Sequence, residues 1–449
     1  MFLMANDHLY SPFPAPKNEE ETLLNRMAQL IPSSEYSGRI SFRNRIGRSY
    51  LMTTRFLEEL KGDPDFLDIN QLFQDAVKLT PVDFEALCFA TTSRYSQLDF
   101  ATFSKDPSIF LLPQTFFGNT GISQSQLERF RREVSGRGKA LKKAYEKRIK
   151  GNSDFILFRD KPMFYTEDDH LFCADTGFLI EKLESGPFWR VHNALKSDAE
   201  KERLHRLWGK LFERYIGWML SEYSDGKRNA LVPSPKYKNS DEEVCDGIVI
   251  CGNTAVFLEI KGSTFTAQSK YGADLAALTK ELENKLVQNQ AGKSKGVAQL
   301  AKAVEKVFSR SKPAEVANVD LSRIQKIIPA LIVRDGIGNV MMLNALLNLK
   351  FQSIFNRKSV WPRTVTPLCV LSADAFDFLA PYLGEFGFPE ILESRLQGDK
   401  SLKGGFLIVE NSTLDKAKPR ENDRLEKAFT EFTNNIVLKL FPAEAINLP

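Results

Sequence analysis

A mixed α+β protein with an α/β-type core is what this sequence predicts, and three observations predict it. Runs such as KIIPALIV (326–333) and PLCVLS (367–372) are apolar almost throughout, the mark of strands covered on both faces. These runs alternate with stretches whose apolar residues recur at helical spacing. The chain has 449 residues, more than one domain usually holds, so two or more domains are expected. Apolar residues make up 43% and charged residues 26%, which describes an ordinary soluble globular protein. The net charge of +4 is small for this length, so only its local distribution bears on binding to nucleic acid.

Taken in order, the first twenty residues are rich in Pro and acidic groups and read as an extended arm. The start MFLMANDHLYSPFPAP lacks a basic n-region and a long apolar h-region, and no stretch of 18 apolar residues occurs. Neither an export signal nor a membrane span is expected, and the expected compartment is the reducing cytoplasm. From about Glu20 to Lys150 the pattern is mostly helical. Thr80, with Pro81 in the first turn and Asp83 three residues after the cap, predicts a helix start. The segment Arg129 to Lys150 carries ten Lys or Arg against two Glu. Such a run is either a solvated helix face or a phosphate-tracking patch through Arg131, Arg132, Lys139, Lys142 and Lys143.

After Gly151, FILFRD (155–160), MFYTE and LFCAD read as short strands, and TGFLIEKLESG as a helix closed by Gly186. From Asp198 to Tyr223 a long helix is expected, with Leu204, Leu207, Trp208, Leu211, Phe212, Tyr215 and Met219 as a wide apolar stripe. A loop, DGKRNALVPSPKYKNSDEE, leads into VCDGIVICGNTAVFLEIKGS (244–263), two strands around a Gly252-Asn253 turn. ADLAALTKELENKLVQNQ and GVAQLAKAVEKVF read as helices, FLIVE after Gly405 as a strand, and Asp423 to Leu440 as a last amphipathic helix. The expected division is a mostly helical accessory region at 1–150, a main domain at 151–400 with leading strands at 155–180, and a C-terminal strand and helix at 401–449 packing on the core.

Charges interrupt the hairpin at Asp246, Glu259 and Lys261. Alternation sends Glu259 and Lys261 to one face of their strand, with Leu258 and Ile260 on the other, and Asp246 lies on the preceding strand. Two carboxylates beside an ammonium are costly to bury without compensation. A hard divalent cation such as Mg²⁺ compensates by taking oxygen ligands, and it keeps waters that act as nucleophiles. Lys261 can then orient or deprotonate such a water, or neutralise charge on a phosphate. The bland alternative is a solvent-facing cross-strand pair with Asp246 in a turn. The triplet E-x-K occurs three times, at 59–61, 259–261 and 283–285, but only the middle copy ends an apolar strand with an aspartate thirteen residues upstream. Glu213 has Gly209 and Gly217 four residues to either side, a stripe of minimal side chains that lets backbone, metal or nucleic acid approach. Lys295 and Gln299 share one helix face in KGVAQL, either as ordinary surface positions or as part of a site.

Taken together, GKLFE, D-x(12)-E-I-K and a later helix with KGVAQL resemble the PD-(D/E)xK nuclease superfamily over roughly residues 200–375. The resemblance implies a restriction-endonuclease-like mixed sheet flanked by helices. It implies Mg²⁺, with Mn²⁺ as an alternative, held by Asp246, Glu259 and the Ile260 carbonyl. Lys261 would be the catalytic lysine, Glu213 the helix glutamate serving a metal or its waters, and Gln299 the polar residue of the later helix. The proline that names the motif is Cys245 here, at a position that varies widely in the superfamily. The expected function is a metal-dependent nuclease acting on DNA, in restriction, phage defence or repair by analogy alone. The alternative is a catalytically silent nuclease-fold subunit that binds nucleic acid or a protein. A protein partner through the N-terminal region is a further expectation. No G-x(4)-GK[ST] loop, HExxH or GxSxG occurs, and the four histidines and five scattered cysteines form no metal-ligand pattern.

Overall fold

The computed structural model of the chain describes residues 16–35, 42–98, 105–113, 115–148, 155–168, 170–173, 175–272, 274–289, 291–310, 312–394 and 418–441. The expected arm up to residue 15 and the expected FLIVE strand lie outside the described residues. The protein is mixed α/β with two mixed sheets, and among the described residues no helix is long and apolar enough to cross a membrane. It divides into two compact units, one of residues 1–37 with 208–422, the other of residues 38–207 with 423–449. This division differs from the expected one. The helix Glu19–Glu35 belongs with the larger sheet, the strands near 165 belong with the N-terminal helices, and the last helix belongs with those same helices.

The first unit is built on a six-stranded sheet. In chain order its strands are β5 (Ala230–Pro233), β6 (Gly247–Cys251), β7 (Thr254–Lys261), β8 (Lys326–Val333), β9 (Thr364–Val365) and β10 (Cys369–Ser372), and the spatial order is β10-β8-β7-β6-β5 with β9 beside β8. To number these consistently, the short strands of the other unit are β1 (Leu111–Leu112), β2 (Ser135–Arg137), β3 (Met163–Tyr165) and β4 (Leu171–Cys173). β5, β6 and β7 run antiparallel in succession, while β7, β8 and β10 run parallel. Gly252, at φ +59°, makes the β6–β7 turn that an L side chain would strain. Val256, Phe257 and Leu258 on β7 and Ile328, Leu331 and Ile332 on β8 are fully buried, each contributing about 1.5–3 kcal/mol relative to exposure.

The helix Gly296–Phe308 lies on β7 and β8. It buries Val297, Leu300, Ala301, Val304 and Phe308, and Phe308 meets Phe257 edge to face at 5.9 Å. Met341–Ile354 packs beside it, and Glu19–Glu35 packs on Met341–Ile354. The Lys350 ammonium ties that layer by reaching Glu20 and Glu283, each at 2.7 Å.

The second unit gathers helices around a small sheet ordered β1-β4-β3-β2, in which β2 and β3 are parallel and the other pairs antiparallel. Its core includes Phe73, Phe84 and Phe130, with ring centroids 5.3 Å and 6.0 Å apart in turn. Thr80 caps Pro81–Ser96 by accepting from the Asp83 N–H, as the sequence predicts. The helix Asp423–Leu440 packs on Phe42–Leu51 and Pro81–Ser96, setting Phe432 5.7 Å from Phe89 and 5.9 Å from Tyr50.

Several expectations are corrected. FILFRD forms a short helix, Ile156–Asp160, because a brief apolar run has no period that separates strand from helix. Gly186 opens the helix Gly186–Ala194, with Pro187 in its first turn, and does not close the preceding one. The basic segment is two helices, Gln124–Val134 and Gly138–Arg148, split by β2. The segment expected as a loop before the hairpin contains β5. The helix Leu275–Leu282 passes into a π turn at Glu283–Val287 short of its expected end.

Candidate active site

β7 lies between β6 and β8; β8 pairs with it through Lys261, whereas β6 pairs with it only as far as Leu258. The β6–β7 ladder closes at Gly247 and Leu258, and the Asp246 N–H donates to the Leu258 carbonyl at 3.0 Å. One step further along, the Asp246 side chain takes the place of a ladder partner: its Oδ2 accepts from the Ile260 N–H at 2.6 Å. In an extended strand the N–H and C=O of one residue leave toward the same edge. The Ile260 carbonyl is therefore directed to the side of Asp246.

Glu259 and Lys261 share the opposite face of β7 from Leu258 and Ile260. Lys261 Nζ donates to Glu259 Oε2 at 2.5 Å and lies 3.6 Å from Asp246 Oδ2, so one ammonium bridges both carboxylates. The Glu259 side chain is 1% exposed. Burial pushes its carboxyl up to about 8, against the pull of the Lys261 charge. Lys261 is raised above the usual lysine range: burial works against its charge, but Glu259 and Asp246 outweigh that penalty.

Glu213 arrives on the helix Asp198–Tyr223. Solvent reaches its side chain, yet enough protein crowds it that desolvation, and then the charge of Asp246, push its carboxyl up to about 7. The close approach expected from the glycine stripe occurs at Gly209. A Cβ on Gly262, the residue after Lys261, would stand 2.8 Å from Gly209 Cα and 3.3 Å from the Trp208 carbonyl. Backbone touches backbone there, one turn before Glu213. Around Gly217, by contrast, the space is open.

On the other flank, a Cβ on Gly296 would stand 3.6 Å from Lys261 Cε, so the start of the Gly296–Phe308 helix abuts the lysine. Lys295 feels the charges of Lys261 and Glu259. Gln299 is half-buried one turn further on; among the described residues its side chain makes no hydrogen bond to the carboxylates. The structure thus brings Asp246, Glu259, Lys261 and Glu213 together and leaves Gln299 at the edge.

Three further residues contribute to the site. Glu243, in a stretch read as loop, adds a further carboxylate whose charge reaches Glu213. Arg334, just past β8, donates its N–H to the Lys261 carbonyl at 3.0 Å and sets its guanidinium 5.0 Å from the Trp208 ring. Gly262 could have been noticed as the glycine following the E-I-K triplet.

The donor chemistry fits a hard divalent cation: three carboxyl groups and the direction of one carbonyl gather around a single ammonium, and a bound cation would favour the ionised form of the carboxyls that burial raises. With the side chains as they stand, no group of three or more His, Cys, Asp or Glu residues among the described residues is arranged to enclose an ion. The Lys261 ammonium lies between the carboxylates where a cation would compete. Comparison with protein-family models, with curated proteins and with solved structures finds no match to this chain.

Proposed function

We propose that this chain is a metal-dependent nuclease that hydrolyses phosphodiester bonds, with DNA as substrate and with the first unit as a restriction-endonuclease-like core. One observation carries the reading: Asp246, Glu259, Glu213 and Lys261, drawn from three separate segments, converge at the end of a central strand. An antiparallel hairpin beside parallel β8 and β10, with a helix laid on β7 and β8, supports the fold assignment.

Asp246 and Glu259 would hold Mg²⁺ or Mn²⁺, with the Ile260 carbonyl as a further oxygen and Glu213 serving the ion or its waters. Such an ion activates water and offsets charge on the scissile phosphate. Lys261 is held cationic by its neighbours, so its role is to donate to the phosphate and neutralise the charge that builds there, not to remove a proton. Glu213, near 7 and open to solvent, is the group placed to accept a proton from water. In the net reaction water forms a bond to phosphorus, the bond to the departing sugar oxygen breaks, and that oxygen leaves as a hydroxyl.

The test is degradation of plasmid and linear DNA by the full chain with Mg²⁺ or Mn²⁺ and with EDTA. Lys261→Ala should lower the rate by at least about 100-fold, as loss of one preorganised charge does, while circular dichroism stays native. Cleavage that survives this change would remove the assignment. The bridging of Glu259 and Asp246 by Lys261 also favours a second reading, a silent nucleic-acid-binding subunit. Metal-independent binding with no cleavage by the wild type, on DNA or RNA, would select it.

A further inference from the structure

Trp361 is 80% exposed, the most exposed large apolar side chain among the described residues. The segment is anchored on either side of it: Val360 is fully buried and Val365 is 7% exposed. The loop is pinned at several points. The Asn356 N–H donates to Glu305 Oε1 at 2.5 Å, the Arg363 guanidinium stands 5.0 Å from the Phe308 ring, and β9 pairs with β8 at Lys326 and Thr364. A large indole is thus presented to solvent by a structured base, with Arg357 and Lys358 exposed beside it.

The helix that holds this loop is Gly296–Phe308, whose start abuts the Lys261 side chain. On it, Lys295, Gln299, Lys302 and Lys306 follow at intervals of four, three and four residues, one face of a helix. That face is opposite the buried Val297, Leu300 and Val304. Lys306 is partly committed, lying 2.5 Å from both Glu242 carboxylate oxygens and 4.3 Å from the Tyr237 ring. Lys302 is exposed and donates to Ser294 Oγ at 2.7 Å. β7 pairs with β8 from Thr254–Lys326 to Lys261–Val333. Trp361, near the Lys326 end, is therefore displaced from Lys261 by about 23 Å along the sheet, at roughly 3.3 Å per residue.

We propose that the outer face of the Gly296–Phe308 helix and the Trp361 loop form a track for a single nucleic-acid strand, with lysines following the phosphates and Trp361 stacking on an unpaired base. The inference deepens the nuclease reading and rests on it for the direction in which the strand runs, toward Lys261. A positive groove with an aromatic platform is the chemistry that holds single strands without regard to sequence. An indole cannot stack on a base already paired inside a duplex, so an unpaired strand is favoured over a blunt duplex.

The experiment uses the full chain in EDTA, with labelled DNA and RNA oligonucleotides of about 12 nucleotides and a matched blunt duplex, within the size range of single-strand sites. Anisotropy reports affinity and intrinsic tryptophan emission reports stacking. Trp361→Ala should weaken single-strand binding roughly ten-fold and remove part of the emission quench, while Trp361→Phe retains most of the affinity. Lys302→Ala with Lys358→Ala should lower the slope of log affinity against log salt by about 1.4, at roughly 0.7 per lost contact. Stronger binding to one of the two strands identifies the source as DNA or RNA. Unchanged affinity and quench in Trp361→Ala, or tighter binding to the duplex, overturns the inference. Wild-type cleavage with Mg²⁺ alongside an indifferent Trp361 sinks this inference alone. Trp361-dependent binding without cleavage sinks the nuclease reading alone.

Discussion

Asp335 shows how buried charge is handled when it is structural, and it sits only two residues beyond β8. Its carboxylate accepts from the Phe265 N–H at 2.7 Å and the Ile337 N–H at 3.0 Å, and pairs with the buried Lys270 ammonium at 3.3 Å. Burial alone would raise its pKa, but Lys270 and the two N–H groups outweigh that and hold it below the usual carboxylate range. Because the folded value lies below the unfolded one of about 3.9, the contribution to stability is full above that value and is lost as pH falls through the folded value. We expect Asp335→Asn to cost about 3–5 kcal/mol near neutral pH, since it leaves Lys270 buried and uncompensated. The gap from wild type should narrow in denaturant melts taken below about pH 4. A gap independent of pH would mean the carboxylate's charge does not matter. The contrast with Lys261 is in the count of partners: Asp335 is matched by one cation and two N–H donors, whereas the acids around Lys261 outnumber it.

At the scale of elements, the contact between the Asp198–Tyr223 helix and the end of β7 depends on two bare main chains. Gly262→Ala should cost about 1–3 kcal/mol by overpacking and should reduce any metal-dependent activity, because the helix carrying Glu213 must retreat. Gly217→Ala, in open space on the same helix, should instead stabilise by about 0.5–1 kcal/mol through backbone entropy. Thermal melts of the two variants should move in opposite directions, and movement in the same direction would contradict the packing described. Much of this was legible in the sequence. β8 and the helix Gly296–Phe308 fall on their expected residues because a wholly apolar run and an amphipathic stripe each have one satisfactory burial. The acids and Lys261 stood out because charge inside a buried strand needs a reason. FILFRD and Gly186 did not, since six residues carry too little period and a glycine can open a helix as well as end one. Glu243 and Arg334 reach the site through tertiary contacts to which no local pattern points, and the Trp361 loop has no regular period at all.

For the molecule as a whole, the last helix completes the unit it returns to. Leu425, Ala428, Phe432 and Ile436 are buried there, and a Cβ on Gly47 would stand 2.7 Å from the Leu425 carbonyl. Lys439 reaches Asp83 at 2.7 Å. Deleting residues 423–449 should raise amide exchange across Phe42–Leu51 and Pro81–Ser96 while β6, β7 and β8 keep their protection. Retained protection in those two helices would refute the assignment of the last helix to that unit. The interleaving of the two units along the chain also bears on how a ribosome delivers them. The helix Glu19–Glu35 waits 306 residues for Met341–Ile354 to emerge, roughly 15–60 s at ordinary synthesis rates. Neither unit can close before its last segment has emerged, residue 422 for the first and the helix Asp423–Leu440 for the second, so the apolar faces of the earlier helices stay uncovered while the intervening chain is made.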